Sequence, residues 1–231
     1  MLASFFILHC SIAPGRYRFP ESGNTRVRLR ECSNIRSGGT PNMDVILIAG
    51  LWLRAPVWDE TAAALTGLGH RPVKLALPGV DHGSQTATLE DQVADVLQAV
   101  DASDRPLVVG HSAAASLAWI AADRRPSAVG RVVLIGGFPA QDGSNYAHFF
   151  EPENGVMPFP GWEEFAGPDS ADLDLAARER MDREFVPVSE GVSRGIVRLV
   201  DERRFGVPVT VVCPEFSAED CQGVAGCRRD T

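Results

Sequence analysis

A run of apolar residues that ends in a Gly-His-Ser turn and continues as an alanine-rich segment is the most constraining feature of the sequence. The segment spans residues 106–120 and reads PLVVGHSAAASLAWI. The apolar run is typical of a strand buried on both faces of a parallel sheet, and the alanine-rich half is typical of a helix. Gly110 allows the backbone to bend between them without a Cβ clash. The pattern therefore predicts a strand–turn–helix unit with Ser112 on the turn.

A serine on such a turn has the chemical setting of a nucleophile. The turn directs the hydroxyl away from the sheet, and the amide of Ala113 points to where an oxyanion would form. The positive end of the helix dipole adds a favourable potential at the same place. Ala114 stands where the strict G-x-S-x-G pattern has its second glycine. Ser112 is therefore the candidate nucleophile, and no other serine of the chain shares its setting.

Strand-like and helix-like segments alternate around this turn. Residues 44–50, 71–77 and 132–137 read as further strands. Thr88 and Asp91 have the spacing of a capping box, which predicts the start of a helix between the second and third strands. Regular alternation of this kind predicts an α/β fold, with a mostly parallel sheet and helices on both of its faces.

Three short motifs lie on or near the predicted strand ends. Residues 48–53 read IAGLWL, residues 77–79 read LPG, and residues 212–215 read VCPE. Trp58 follows the first motif, in the next helix. Together, over about residues 43–215, these features resemble the α/β-hydrolase superfamily. The last motif is similar to the branch that contains plant methylesterases and hydroxynitrile lyases. The resemblance implies an esterase-like serine hydrolase.

The resemblance also implies roles for single residues. IAGLWL is similar to the superfamily's oxyanion loop, with Ala49 at the place of a common histidine. Leu51 stands where the second oxyanion-hole amide is expected, beside that of Ala113. The substrate implied is a small apolar ester or a related carbonyl compound, which Ser112 would attack.

The acid of a catalytic triad is open between two main candidates. In the methylesterase branch an aspartate follows the glutamate of the Cys-x-Glu motif, and here Phe216 occupies that place. Glu215 lies beside it, and Asp142 lies on the loop after the fourth predicted strand. Glu219 and Asp220 are further options. For each of them the ordinary alternative is a solvated loop carboxylate.

The base is missing from its expected place, because no histidine follows the predicted acid strand. The five histidines are His9, His70, His82, His111 and His148. His111 is expected to pack beside the oxyanion loop, and His82 and His148 are more typical of loop or surface histidines than of a general base. Since a serine without a base is a weak nucleophile, the alternative is a catalytically impaired or non-catalytic protein of this fold that binds a small ligand or partner.

The two ends of the chain differ from its middle. Residues 1–42 carry six arginines and two glutamates, a net charge of +4. Since the whole chain has a net charge of −8, residues 43–231 carry −12. We expect a poorly structured N-terminal extension at 1–42 and an α/β-hydrolase core at 43–215, with a cap region at about 139–205. Residues 216–231 are expected to form an irregular tail, where the sequence looks truncated or frame-shifted. The aromatic residues of the cap region indicate either an apolar pocket or simple packing of the cap.

Composition narrows the choice of partners. A net charge of −8 disfavours nucleic acid and anionic membranes. The chain lacks dinucleotide-binding, P-loop and zinc-site patterns, so neither a cofactor nor a metal is expected. The apolar N-terminal stretch is too short to span a bilayer. A cytoplasmic protein is expected, or a secreted or organellar one if that stretch is a targeting peptide. The oligomeric state is left open.

Overall fold

A mostly parallel sheet forms the centre of the computed structural model, which describes residues 7–11, 28–31, 42–81, 86–167, 169–213 and 228–229. In chain order, its strands and those of a small ribbon are β1 (Ile7–Ser11), β2 (Arg28–Glu31), β3 (Asp44–Ile48), β4 (Arg71–Lys74), β5 (Leu107–His111), β6 (Arg131–Ile135), β7 (Val156–Met157), β8 (Val188–Ser189), β9 (Val209–Val212) and β10 (Arg228–Arg229). The strand order of the sheet is β10-β2-β1-β9-β6-β5-β3-β4, and β4-β3-β5-β6-β9 are parallel. The predicted α/β fold is confirmed, although β4 is shorter than the predicted strand.

Helices flank this sheet, and α2 and α3 follow the predicted positions. They are α1 (Asp59–Gly67), α2 (Leu89–Asp101), α3 (Ala115–Arg124), α4 (Leu175–Glu184) and α5 (Glu190–Ser193). α2 begins at the predicted capping box, in which the Thr88 amide donates to the Asp91 carboxylate at 2.8 Å. α3 buries nine of its ten side chains, since its small alanines allow close packing on the sheet. Within the described residues, no helix is long and apolar enough to cross a membrane.

The core lies in two layers, one on each face of the sheet. Side chains of a strand point alternately to opposite faces. Ile46 and Ile48 of β3 therefore pack in the larger cluster, together with α2, α3 and residues of the insertion. Val45 and Leu47 pack in a smaller cluster against α1. Burial on both faces explains why this strand reads as a continuous apolar run.

The insertion predicted after the fourth strand lies between β6 and β9. It contains α4, α5 and the antiparallel ribbon of β7 and β8. Residues of this insertion, among them Met157 and Val188, belong to the larger core cluster of the sheet. We refer to residues 139–205 as the cap, the range assigned to it from the sequence.

The N-terminal range differs from the expectation at two stretches. β1 pairs antiparallel with both β2 and β9, and β10 pairs parallel with β2. At β1 and β2, therefore, the expectation of little regular structure does not hold. The physical reason is that β9 ends the parallel part of the sheet and leaves main-chain groups to be paired. Most of residues 1–42 and 216–231 lie outside the described residues, so the limits of the extension and the tail stay predictions.

Candidate active site

The turn between β5 and α3 holds Ser112 in an unusual backbone conformation. Its φ is 54°, in the left-handed region that residues other than glycine rarely adopt. Two glycines allow the chain to close around it. A Cβ on Gly110 would lie 2.3 Å from the Ala114 carbonyl oxygen, and one on Gly137 would lie 2.4 Å from the Ser112 carbonyl oxygen. A serine in this conformation at a strand-to-helix turn has the backbone of a nucleophile elbow.

The loop after β3 contacts this turn directly. β3 and β5 are neighbours, with Ile48 opposite Gly110, so both turns lie at the same edge of the sheet. A Cβ on Gly50 would lie only 3.1 Å from the Cβ of Ser112. The structure therefore brings together the segments that carry Leu51 and Ala113, the two residues predicted to supply oxyanion-hole amides. Both residues are buried.

His111 packs beside the loop of residues 48–53, as expected from the sequence; we call this segment the oxyanion loop after the role that the resemblance implies for it. A Cβ on Gly50 would lie 3.0 Å from its Nδ1 atom. Its ring meets that of Trp58 edge to face, with 6.2 Å between the ring centroids. Burial lowers the pKa of His111 below the ordinary value of 6.5, which favours a neutral imidazole at pH 7.

No histidine side chain in the described part of the chain is hydrogen-bonded to Ser112. His148 is exposed on the cap, and His70 precedes β4 with a buried Nδ1 atom that has no described partner. His82 lies outside the described residues, and so does the side chain of His9. The triad base therefore stays without an assigned residue.

The two main acid candidates have different outcomes. Asp142 is exposed, and its carboxylate accepts a hydrogen bond from the Leu199 amide at 2.8 Å. This contact joins the two ends of the cap. Glu215 lies outside the described residues, as do Glu219 and Asp220. The assignment of the acid therefore stays a prediction.

Trp52 connects the oxyanion loop to the cap, which the sequence analysis missed. Its indole N–H donates to the Met157 carbonyl at 3.1 Å, and its own carbonyl accepts from the Val186 amide at 3.0 Å. Phe150, Phe159 and Phe165 of the cap surround its ring. The only signal in the sequence was an aromatic residue next to Leu51. Its partners could not be read from it, because they lie more than 90 residues away along the chain.

Helix α3 holds both ends of the cap through two buried polar side chains, which were also missed. Near the start of the cap, the Ala140 amide donates to the Ser116 hydroxyl at 2.9 Å. Near its end, the Asp201 amide and the Arg204 guanidinium donate to Asp123 at 2.8 and 3.0 Å. Polar residues in an otherwise alanine-rich helix were the only sequence signal. The helix that follows Ser112 therefore also positions the cap.

Asp81 connects the far end of the oxyanion loop to the turn after β4. Its carboxylate accepts hydrogen bonds from the amides of Ala55 and Leu77, each at 3.0 Å. One of these amides begins the 3-10 helix Ala55–Trp58 and the other lies in a loop, and both are main-chain donors that need a partner. In the part of the chain that the structure describes, no cluster of His, Cys, Asp and Glu could hold a metal ion.

Several solved structures share this fold. An extracellular α/β-hydrolase from a Paenibacillus species, described as homologous in structure and function to tobacco Salicylic Acid Binding Protein 2, superimposes with a TM-score of 0.59 at 22% identity, over 71% of this chain and 72% of that one. A methylesterase from Arabidopsis gives a TM-score of 0.59 at 13% identity, over 72% and 75%. Polyneuridine aldehyde esterase gives 0.57 at 14% identity, over 82% and 90%. At these identities the likeness shows the fold.

The family comparison covers most of the chain. No curated protein sequence matches it. A family model described as the alpha/beta hydrolase family matches residues 45–223, which include the Ser112 turn, the oxyanion loop and the cap. This protein belongs to the alpha/beta hydrolase family.

Proposed function

We propose that this protein is a serine hydrolase that acts on a small apolar ester or a related carbonyl compound, with Ser112 as its nucleophile. The observation that carries the proposal is the left-handed backbone of Ser112, on a turn in contact with the Gly50 loop. A residue held in a rarely populated conformation by its surroundings indicates a functional site. Membership of a family of hydrolases supports the same reaction class.

In the proposed reaction, the Ser112 oxygen attacks the substrate carbonyl carbon and its proton passes to a base. The amides of Leu51 and Ala113 donate to the oxyanion that forms. Collapse of the tetrahedral intermediate breaks the ester bond, and the alcohol leaves with the proton from the base. Water then hydrolyses the acyl-serine. Glu215 and Asp142 are the candidate acids, and the base is not assigned to a residue.

The cap supports an apolar substrate. Phe150, Phe159 and Phe165 are partly buried, and they gather around Trp52 directly beside the oxyanion loop. Apolar and aromatic side chains with a few polar groups are the usual lining of small-molecule sites. An acyl, aryl or alkyl group of the substrate would contact these rings while its carbonyl lies at Ser112.

A second candidate function is non-catalytic binding of a small ligand or partner. The observation that favours it is the Ser112 hydroxyl, which has no hydrogen-bonded histidine in the described part of the chain. Without a base, a serine hydroxyl is a poor nucleophile at neutral pH. The two candidates differ in whether Ser112 forms a covalent adduct.

Covalent labelling tests the proposal. We would treat the protein with a fluorophosphonate probe and measure hydrolysis of p-nitrophenyl esters, comparing Ser112→Ala with Ser103→Ala. Ser103 is a matched control, because its hydroxyl only donates to the Ala99 carbonyl at the end of α2. We expect labelling and turnover to be lost in Ser112→Ala and kept in Ser103→Ala. Equal labelling of both variants, or none in the unmodified protein, would reject the nucleophile and favour the binding function.

A further inference from the structure

The oxyanion loop contains a tight turn with an unfavourable residue at its third position. The Leu53 amide donates to the Gly50 carbonyl at 3.3 Å, which closes the turn formed by residues 50–53. Trp52 has a φ of 63°, in the left-handed region. Glycine or asparagine is preferred where a turn requires positive φ at this position, since a Cβ is disfavoured there. Other contacts must therefore hold Trp52.

Those contacts come from one strand of the cap ribbon and from the segment that leads into the other. The indole N–H of Trp52 donates to Met157 in β7 at 3.1 Å. Its main-chain carbonyl accepts from Val186, two residues before β8, at 3.0 Å. The side chain of Trp52 is thus bound by β7, and its main chain is bound by the residues just before β8.

The ring of Trp52 lies at the centre of the cap's aromatic cluster. Its centroid is 5.7 Å from that of Phe150, 5.5 Å from that of Phe159 and 6.0 Å from that of Phe165. Only 6% of the residue is exposed. Rotating its backbone to a relaxed φ would carry the ring out of this cluster and break both hydrogen bonds.

We propose that Trp52 is a positioning residue that makes the oxyanion hole depend on the seating of the cap. Leu51 precedes Trp52 in the same turn, so the contacts that hold Trp52 also hold the direction of the Leu51 amide. When the cap ribbon moves away, Trp52 loses its partners, the turn relaxes and the Leu51 amide turns from the oxyanion. This inference rests on the proposed function, because the direction of that amide matters only if Ser112 forms a tetrahedral adduct.

A matched pair of tryptophan substitutions tests the inference. Trp52→Phe keeps a ring and removes the donor to Met157. Trp162→Phe makes the same chemical change in the same cluster, because the Trp162 indole donates to Asp182 at 2.8 Å and its ring packs on Phe159 and Phe185. Neither of those contacts involves the turn. Fluorophosphonate inactivation would be resolved into reversible binding, KI, and the covalent step, kinact.

We expect Trp52→Phe to lower kinact about tenfold and to change KI less than twofold, since a misplaced donor acts on the adduct and not on ground-state binding. Trp162→Phe should keep kinact within about twofold of the unmodified protein. If Trp52 only stabilised the fold, Trp52→Phe would lower the fraction of protein that is labelled and would leave the kinact of the folded protein unchanged.

A second variant, Trp52→Gly, favours the φ of the turn but removes its anchor to the cap. We expect its kinact to fall at least as far as that of Trp52→Phe. Unchanged kinact in Trp52→Gly or Trp52→Phe, or an equal loss in Trp162→Phe, would overturn the inference while Ser112-dependent labelling stands. Labelling that does not depend on Ser112 would overturn the proposed function and this inference with it.

Discussion

The two turns of the candidate site reach similar backbone strain by different means. Ser112 has a φ of 54° and Trp52 a φ of 63°. The Ser112 turn is closed by main-chain contacts in the body of the fold, with Gly110 and Gly137 leaving room for it. The Trp52 turn is held by hydrogen bonds and ring contacts from the cap. The turn of the proposed nucleophile is thus held by the body of the fold, whereas the turn of the proposed oxyanion loop depends on contacts with the insertion.

The largest effect should come from Asp123→Ala, which frees the end of the cap from α3. Asp123 is 1% exposed and pairs with the largely buried Arg204. Removing Asp123 leaves the largely buried Arg204 charge without its carboxylate partner, so we expect the free energy of unfolding to fall by about 3–5 kcal/mol. Urea unfolding would measure it.

The surface pair of Asp101 and Arg125 provides the control for that change. Its N–O distance is comparable, 2.8 Å between Nε and Oδ1, but both of its side chains are exposed. Exposed ion pairs contribute little because solvent screens them, so Asp101→Ala should leave stability nearly unchanged. If Asp123→Ala also loosens the Trp52 turn, kinact should fall in the folded protein. Equal stability of the two variants would contradict the role assigned to Asp123.

The next effect should come from Gly137→Ala, which acts on the Ser112 turn. The added Cβ would lie 2.4 Å from the Ser112 carbonyl oxygen, a main-chain atom that cannot move aside alone. We expect a loss of about 1–3 kcal/mol in unfolding free energy together with loss of Ser112 labelling. Gly206→Ala is the control, since nothing lies within 4 Å of its added Cβ. Full labelling in Gly137→Ala would show that the turn tolerates displacement.

A smaller effect is expected from Thr88→Ala, at the start of α2. The change removes the side-chain cap of α2, which accepts from the Asp91 amide. Loss of such a cap costs about 1 kcal/mol. Thermal unfolding should show this loss while the kinact of labelling is unchanged. A reduced kinact would mean that global stability, rather than the two turns, controls the site.

The smallest effect should be a pH dependence from His111. Because burial lowers its folded pKa below 6.5, the unfolded chain binds the proton more readily, and unfolding free energy should fall as pH drops below about 6.5. His111→Gln should remove this slope between about pH 6.5 and 5. His148→Gln serves as the control, since that residue is exposed. If the unfolding free energy of His111→Gln kept the same pH dependence, His111 would not be its source.

Local patterns were sufficient for much of the fold. β5 and α3 follow from an apolar run and an alanine-rich run, and α2 begins at its predicted capping box. These features depend on neighbours within a few residues, where periodicity and caps carry the signal. The hairpin of β1 and β2 was not predicted, because strand pairing depends on the free edge that β9 presents.

The sequence by itself determined strands β3 to β6, helices α2 and α3 and the Ser112 turn, because each is specified by residues close together in the chain. Only the tertiary structure decided that Trp52 and Asp123 connect the site to the cap. Their partners lie 105 positions from Trp52 and 78 to 81 positions from Asp123 along the chain. Contacts over such separations depend on how the insertion folds back onto the sheet. No local pattern encodes that packing, since a buried tryptophan or aspartate accepts many different partners.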